Sequence, residues 1–343
     1  MQQPILTIGI PTYNRSKLLA NLLSCIFYQV KASALADKIQ VVVSNNNSTD
    51  DTEAVVDEFI KKGLKIDYSR NEENIGGNNN ILKVGYELAK APYCWIIGDD
   101  DLIRDGGIAY YLKLLEDNKG VELFYLNHTN EPDADRQLII NNAAINPQRV
   151  MCNLDEDRLL PNGQTIVEFT THNALFTSVS CTIFKTSVWK EKFIGYQPYQ
   201  SFDTLNNTFP HTVILAANLM QKPVFYVGYP YLAFFVGAQE WFSKWELMVA
   251  TRVVELTDCF EQHGAGERFL KIYRERLFKD VLGAFFRIFT RNEMAEWCQL
   301  NYWQYVMKYS KYKNFRITTW HLAIALFKMK IKLRTRLRSL LNG

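Results

Sequence analysis

Three acidic residues in a row, Asp99-Asp100-Asp101, follow the apolar run Tyr93-Cys94-Trp95-Ile96-Ile97-Gly98. Adjacent carboxylates repel one another. A fold that sets them at the end of a buried strand usually places a cation or a proton among them. An apolar strand ending in such a cluster is how a parallel α/β sheet offers a divalent metal at its carboxyl edge, where the metal can hold a phosphorylated ligand. Asp also caps helices and tolerates turns, so the triplet taken alone reads first as a plain strand-to-helix turn. Two more polar clusters lie upstream, Thr12-Tyr13-Asn14-Arg15 and Ser44 to Asp51. Tyr13 could stack on a base and Arg15 could reach a phosphate.

The elements that must position these residues read as follows. Ile5 to Ile10 is a buried strand that Pro11 stops, and residues 15–30 carry helical spacing through Leu18, Leu19, Leu22, Leu23, Ile26 and Phe27. Ile39 to Val43 is a continuous β-branched run, as an interior parallel strand requires. Thr52 to Lys62 is a helix, Leu64 to Tyr68 a short strand, and Asn78 to Lys90 a helix after a Gly-Gly turn. Tyr93 to Ile97 is the strand before the triplet, Gly106 to Glu116 a helix and Val121 to Asn127 a strand. This alternation with short loops, through about residue 127, is the pattern of a doubly wound, mostly parallel α/β sheet. Ligands bind beyond the carboxyl ends of such strands, and all three polar clusters fall there. Further on, residues 128–165 are polar and irregular, as long loops or a hairpin would be. Phe176 to Phe184 and Val224 to Val236 look like strands, and 241–306 reads as helices.

No Gly-x-Gly-x-x-Gly follows the first strand and there is no Walker lysine loop, which argues against dinucleotide and P-loop sites. The six cysteines (25, 94, 152, 181, 259 and 298) form no close pair, which argues against a zinc site or a disulfide framework and fits a reducing compartment. Neither a secretion signal nor an apolar run long enough to span a bilayer is evident, so a cytoplasmic protein is expected. The net charge of +3 is unevenly spread. After Glu296 there is no acidic residue but ten Lys or Arg, and removing those leaves 29 basic against 36 acidic residues, a net of −7. An acidic body with a basic tail suggests a polyanionic surface as partner.

In order and spacing, IGIPTYNR, VVVSNNNSTDDT, RNEENIGGNNN and YCWIIGDDD resemble the amino-terminal half of family 2 glycosyltransferases, over roughly residues 4–127. The stretch from Tyr93 to Asp101 is most similar to the abequosyltransferase-like branch, which adds sugars during bacterial O-antigen assembly. The resemblance implies a GT-A fold, which is a Rossmann-like α/β sheet. It also implies a nucleotide-sugar donor and a divalent cation, Mg²⁺ or Mn²⁺, at an Asp-x-Asp element. Carried over position by position, Pro11, Thr12, Tyr13 and Arg15 match the first nucleotide loop. Asn45 stands where the family usually has an Asp that accepts from the uracil N3–H. An amide both donates and accepts, so cytosine, uracil and thymine all stay open. Asn74, Gly76 and Asn80 match the loop that closes over the nucleotide. The common Asp-x-Asp-Asp becomes Gly98-Asp99-Asp100-Asp101 here. Asp100 then matches the usual metal ligand with Asp101 beside it, and Asp99, on the donor side, could compensate for the carboxylate missing at Gly98.

The acceptor hydroxyl needs a general base near the anomeric carbon. In the family this is an acidic residue at the start of a helix. The matching stretch offers His211, just before the apolar run Val213 to Met220, with Asp203 as the alternative. An imidazole has a suitable pKa, although His211 could equally cap that helix or pack in the core. Gln239-Glu240-Trp241 matches an element that contacts the acceptor or the donor phosphate, with Glu240 and Trp241 taken as acceptor-binding, and it could equally begin an amphipathic helix.

The tail, Trp320 to Leu341, mixes basic and apolar residues and reads as an amphipathic segment on an anionic membrane, in preference to nucleic acid. The expected organisation is a catalytic domain over residues 1–240, with a nucleotide-sugar half (1–127) and an acceptor half (128–240). A helical region over 241–343 follows and ends in the membrane-associating tail from about 318. The expected function is metal-dependent, inverting transfer of a hexose or deoxyhexose from a nucleotide-sugar to a lipid-linked oligosaccharide at the inner face of the bacterial plasma membrane. The competing readings are a sugar nucleotidyltransferase and a catalytically inactive sugar-binding protein on the same fold. The oligomeric state is open.

Overall fold

Strand and helix alternate from the first element. β1 (Leu6–Thr12) leads to α1 (Ser16–Ala32), β2 (Ile39–Asn45) to α2 (Thr52–Lys61), and β3 (Ile66–Arg70) to α3 (Gly77–Lys83). β4 (Tyr93–Ile96) and the short β5 (Leu102–Ile103) flank the acidic triplet, and α4 (Gly107–Asp117) follows. β6 (Leu123–Pro132), α5 (Arg136–Ile140), β7 (Arg158–Leu160), β8 (Thr182–Lys185) and α6 (Thr186–Glu191) make up the middle of the chain. α7 (Pro210–Gln221), β9 (Val224–Val236), α8 (Trp245–Ala250), α9 (Arg252–Gln262), α10 (Glu267–Thr290) and α11 (Tyr302–Tyr309) complete it. The computed structural model describes residues 3–171, 175–198, 202, 204–236, 245–290, 302–313 and 315–316.

The strands form one sheet in the order β3-β2-β1-β4-β8-β6-β9-β5, with β7 paired to β9. β3, β2, β1 and β4 run parallel, so their carboxyl ends share one edge. β8 enters antiparallel between β4 and β6. The parallel part is apolar on both faces, as a sheet covered by helices on both sides must be. Ile8, Ile10, Val42 and Val43 are fully buried. One continuous core joins this sheet to the later helices, from Leu6 and Trp95 through Phe176 to Phe260, Tyr273 and Tyr309.

Several expectations shift in detail. β1 runs through Pro11 to Thr12. Gly9 O accepts from Ile97 N on the β4 side and Thr12 O accepts from Asn46 N on the β2 side. Alternation therefore turns Pro11 toward β4, past the last residue paired there, and its missing N–H costs no ladder bond. The helix expected to reach Lys90 ends as a π-turn over Val84–Leu88. Of the apolar run Phe176 to Phe184, only Thr182 onward is strand. Phe176 has a φ of 68°. Its ring packs edge-on against Tyr125 and Phe260, so its apolar character serves the core rather than a strand. Residues 128–165 hold more structure than their polarity suggests. β6 extends to Pro132, and α5 packs Ile139 into a second small core with Leu102, Ala233 and Phe235. Among the described residues no helix is long and apolar enough to cross a membrane.

Candidate functional site

The exit loops of β1, β2 and β4 meet at the shared sheet edge and are tied together there. Asn14, with a φ of 51°, takes the left-handed conformation that Asn tolerates. From there its Oδ1 accepts from Thr49 N at 2.8 Å, and its own N–H donates to Ser48 Oγ at 2.9 Å. Asp50 Oδ2 accepts from Ser16 N at 2.8 Å, at the exposed start of α1. Thr12 Oγ1 donates to Asp99 Oδ2 at 2.7 Å, and Arg15 Nη1 donates to Asp99 Oδ1 at 3.1 Å. The first and third polar clusters are thus bonded directly to one another.

A second set of bonds is made almost wholly of side-chain amides. Asn46 Nδ2 donates to Asn74 Oδ1 at 2.7 Å, and Asn46 Oδ1 accepts from Asn71 Nδ2 at 2.8 Å and from Ile75 N at 3.0 Å. Asn74 Oδ1 also accepts from Gly76 N at 2.9 Å, where a φ of 86° calls for glycine. Asn80 is buried and closes the set, donating to Ser44 O at 2.8 Å and accepting from Ser44 Oγ at 2.6 Å. These bonds fasten the 71–80 loop over the end of β2.

Together the loops wall a cavity of about 480 Å³. Pro11, Thr12, Tyr13, Arg15, Asn74, Gly76, Asn80, Asp99, Asp100, Asp101 and His211 all line it. Asn45 does not border the cavity. Its Oδ1 accepts from Ser48 N at 2.8 Å and its Nδ2 donates to the Tyr68 hydroxyl at 2.7 Å, beneath the loop. The neighbouring Asn46 lines the cavity instead. Asp203, Glu240 and Trp241 lie outside the described residues, as does the tail from residue 317. The sequence reading missed His128, Asn130, Ser180 and Phe234, which also line the cavity; Ser180 Oγ accepts from Gly98 N at 3.1 Å, beside the triplet. His128 and Asn130 belong to the polar second half of β6, Asn127 to Glu131, where two residues at strand spacing on one face were the available signal.

The triplet is buried, and burial works against its charge. Burial first, then the charge of Asp100, pushes Asp99 up to about 6. Burial likewise raises Asp100, against the pull of Arg15, and raises Asp101 well above the usual carboxylate range, with Asp100 adding to it. The oxygens of Asp99 are taken by Thr12 and Arg15, and Asp101 Oδ1 accepts from Phe235 N at 3.4 Å. Asp100 differs. Its Oδ2 is buried with no hydrogen-bond partner among the described residues and faces Arg15 Nη1 at 3.6 Å. Gly98 explains how the carboxylates fold back. A Cβ there would lie 2.6 Å from Asp100 Oδ1 and 3.2 Å from Asp101 Oδ2. Among the described residues no three His, Cys, Asp or Glu converge as a ligand set. A divalent cation nevertheless fits the chemistry of this corner, which holds an orphaned carboxylate oxygen and a guanidinium standing where a cation would. Asp100 would hold it, with Asp101 beside it.

His211 stands in the first turn of α7, across the cavity. Its Nε2 lies 3.1 Å from Thr177 O, and a carbonyl only accepts, so Nε2 carries the proton. Nδ1 is left as the lone-pair atom, buried and without a partner among the described residues. Burial lowers the His211 pKa from 6.5 to about 4, so the ring is neutral near pH 7.

Comparison with known proteins places this geometry. The profile of glycosyl transferase family 2 matches residues 7–191, more than half of the chain. The chain belongs to this family. Over 219 residues it is 28% identical to abequosyltransferase RfbV of Salmonella typhimurium, covering 62% of this chain and 60% of that protein. Over 106 residues it is 29% identical to a GalNAc(5)-diNAcBac-PP-undecaprenol beta-1,3-glucosyltransferase of Campylobacter jejuni, covering 31% of this chain and 33% of that one. The matched stretches therefore span less than two thirds of either relative. Among solved structures, S. aureus TarS 1-349 in complex with UDP-GlcNAc superposes with a TM-score of 0.59 at 15% identity, over 84% of this chain and 77% of that one. At that identity the likeness shows the fold, which is GT-A.

Proposed function

We propose that this chain is a glycosyltransferase that moves a sugar from a nucleotide-sugar donor to a saccharide acceptor carried on polyprenyl diphosphate, in the assembly of a bacterial surface polysaccharide such as O-antigen. One observation carries the reading. The nucleotide loops after β1 and β2 and the acidic triplet after β4 enclose one cavity, and Asp100 has there a buried oxygen with no hydrogen-bond partner among the described residues. The donor class is supported by the UDP-GlcNAc complex of the structural neighbour and by family membership. The acceptor class is supported by the undecaprenol diphosphate in the name of one relative, and the pathway by the abequosyltransferase name of the other.

In this reading Tyr13 and Asn74 border the nucleotide, and Arg15 turns from Asp99 toward the diphosphate. A divalent cation at Asp100, when bound, supplies neutralisation of the charge that develops on the departing nucleoside diphosphate. His211 accepts the proton of the attacking hydroxyl at Nδ1, and Asp203 is the alternative base. A single displacement from the face opposite the leaving group inverts the anomeric centre. Glu240 and Trp241 contact the acceptor, and the basic tail rests on the anionic inner face of the plasma membrane.

The test is nucleoside diphosphate release from a panel of nucleotide-sugars, with a lipid-linked acceptor fraction present. Release should require Mg²⁺ or Mn²⁺ and be lost in Asp100→Ala. Release that survives chelation overturns the metal-dependent mechanism. Nucleotide-sugar binding without turnover, unchanged by Asp100→Ala, would favour an inactive binding protein.

A further inference from the structure

The triplet has a cation on each side. Arg15 faces it from the cavity, and Arg136, on α5, approaches from behind. Arg136 Nη1 donates to the main-chain carbonyl of Asp100 at 2.6 Å. Its Nε donates to Asp133 Oδ1 at 2.8 Å. Its guanidinium lies 3.8 Å from the centre of the Phe235 ring, and the Phe235 N–H is the group that donates to Asp101 Oδ1. The side chain is 9% exposed, and Nη2 is buried without a hydrogen-bond partner among the described residues. Arg136 does not border the cavity.

Burying a guanidinium is costly, and an orphaned N–H adds to that cost. A neutral Gln amide would serve if the only task were to donate to one carbonyl. What a planar, permanently charged fork adds is a fixed aim and a positive charge beside three buried carboxylates. α5 itself is only five residues long and is held by Ile139 in the small core with Leu102 and Phe235, the residues that lead out of the triplet and along its far side. The short helix thus delivers one side chain to one backbone atom.

We propose that Arg136 is a positioning residue. By gripping the Asp100 carbonyl and the Phe235 ring together, it sets the Asp100 and Asp101 carboxylates at the angle at which they can hold a divalent cation. The proposal rests on the reading of Asp100 as the metal-holding residue. Groups that orient ligating carboxylates from behind typically govern metal affinity by about 10–100-fold.

The test is Mn²⁺ binding to the purified protein, followed by electron paramagnetic resonance of free Mn²⁺, with thermal melting alongside. Wild type should bind Mn²⁺ and Asp100→Ala should not. If these two behave alike, the metal reading fails and Arg136 has nothing to position. With that control in place, Arg136→Met should weaken Mn²⁺ binding by about tenfold. Arg136→Lys, which keeps the charge and one donor, should recover part of the loss. Saturating Mn²⁺ should restore most of the kcat of Arg136→Met, whereas a merely structural residue would lower the melting temperature and leave Mn²⁺ affinity unmoved. Unchanged or tighter Mn²⁺ binding in Arg136→Met, with binding still lost in Asp100→Ala, overturns the proposal. If Arg136→Met does not fold, Arg136→Lys decides: several-fold weaker binding supports the proposal, and wild-type binding overturns it.

Discussion

Arg15 and Asp99, 84 residues apart in the chain, form an ion pair with Arg15 Nη1 3.1 Å from Asp99 Oδ1. The bond joins the loop after β1 to the loop after β4, and the same guanidinium nitrogen lies 3.6 Å from Asp100 Oδ2. Arg15 is 20% exposed while its two partners are buried, so it can move when a ligand supplies a better anion. A charge-assisted hydrogen bond to phosphate contributes about 1.5–3 kcal/mol. Arg15→Gln should therefore weaken nucleoside diphosphate binding by about 10–100-fold, as read by isothermal titration calorimetry in Mn²⁺. Wild-type affinity in the variant would mean that Arg15 only neutralises the triplet.

Gly98 stands where the family commonly carries an acid, and restoring that acid should harm the site. Any Cβ at position 98 would sit 2.6 Å from Asp100 Oδ1, closer than real contacts allow. Gly98→Ala should displace the Asp100 carboxylate and lower kcat/KM at limiting Mn²⁺ more than at saturating Mn²⁺. Gly98→Asp should do the same and add a fourth buried carboxylate, costing stability as well. A Gly98→Asp variant with raised activity would show that the carboxylates rearrange freely.

How much of this was legible in the sequence depends on the kind of signal. β1, β2 and β4 were plain because parallel strands buried on both faces leave unbroken β-branched or apolar runs. The three polar clusters at their ends followed from the sheet rule that ligands gather at carboxyl edges. Asn45 and Asn46 were not separable, because adjacent residues at a strand exit point opposite ways and one step of register decides which reaches the cavity. Asn45 turned inward to Tyr68. Phe176 mimicked a strand residue because apolar runs do not reveal what they pack against. Arg136 left no trace at all. It sits in a polar stretch on a short helix, and its partner is a backbone carbonyl 36 residues away, which no side-chain pattern encodes.

The basic tail gives a prediction that needs only fractionation. Ten Lys or Arg and no acid follow Glu296, interleaved with Leu, Ile, Phe and Met. Each basic residue near an anionic surface is worth about 1 kcal/mol. Deleting residues 318–343 should shift the protein from the membrane to the soluble fraction, and high salt should do so for the full chain. An unchanged partition removes the membrane role of the tail.

His211 ties stability to pH with a sign opposite to that of a paired histidine. Burial lowers its pKa from 6.5 to about 4, so the folded protein refuses a proton that the unfolded chain accepts. The stability linked to this group is whole above about pH 6.5, falls as pH drops toward 4, and changes no further below that. The shift corresponds to about 3 kcal/mol at most. Urea unfolding at pH 7.5 and pH 4.5 should show this loss in wild type on top of that from other groups. His211→Gln, whose amide can still donate to Thr177 O, should lack that increment. If Nδ1 is the base, the same variant should lose about 10²–10⁴-fold in kcat. Any fall in the wild-type rate between neutral pH and about 5 should then come from the acidic triplet and not from His211, because the ring remains unprotonated there. A variant that regains acid stability yet keeps full kcat would leave His211 as a buried structural residue and move the base to Asp203.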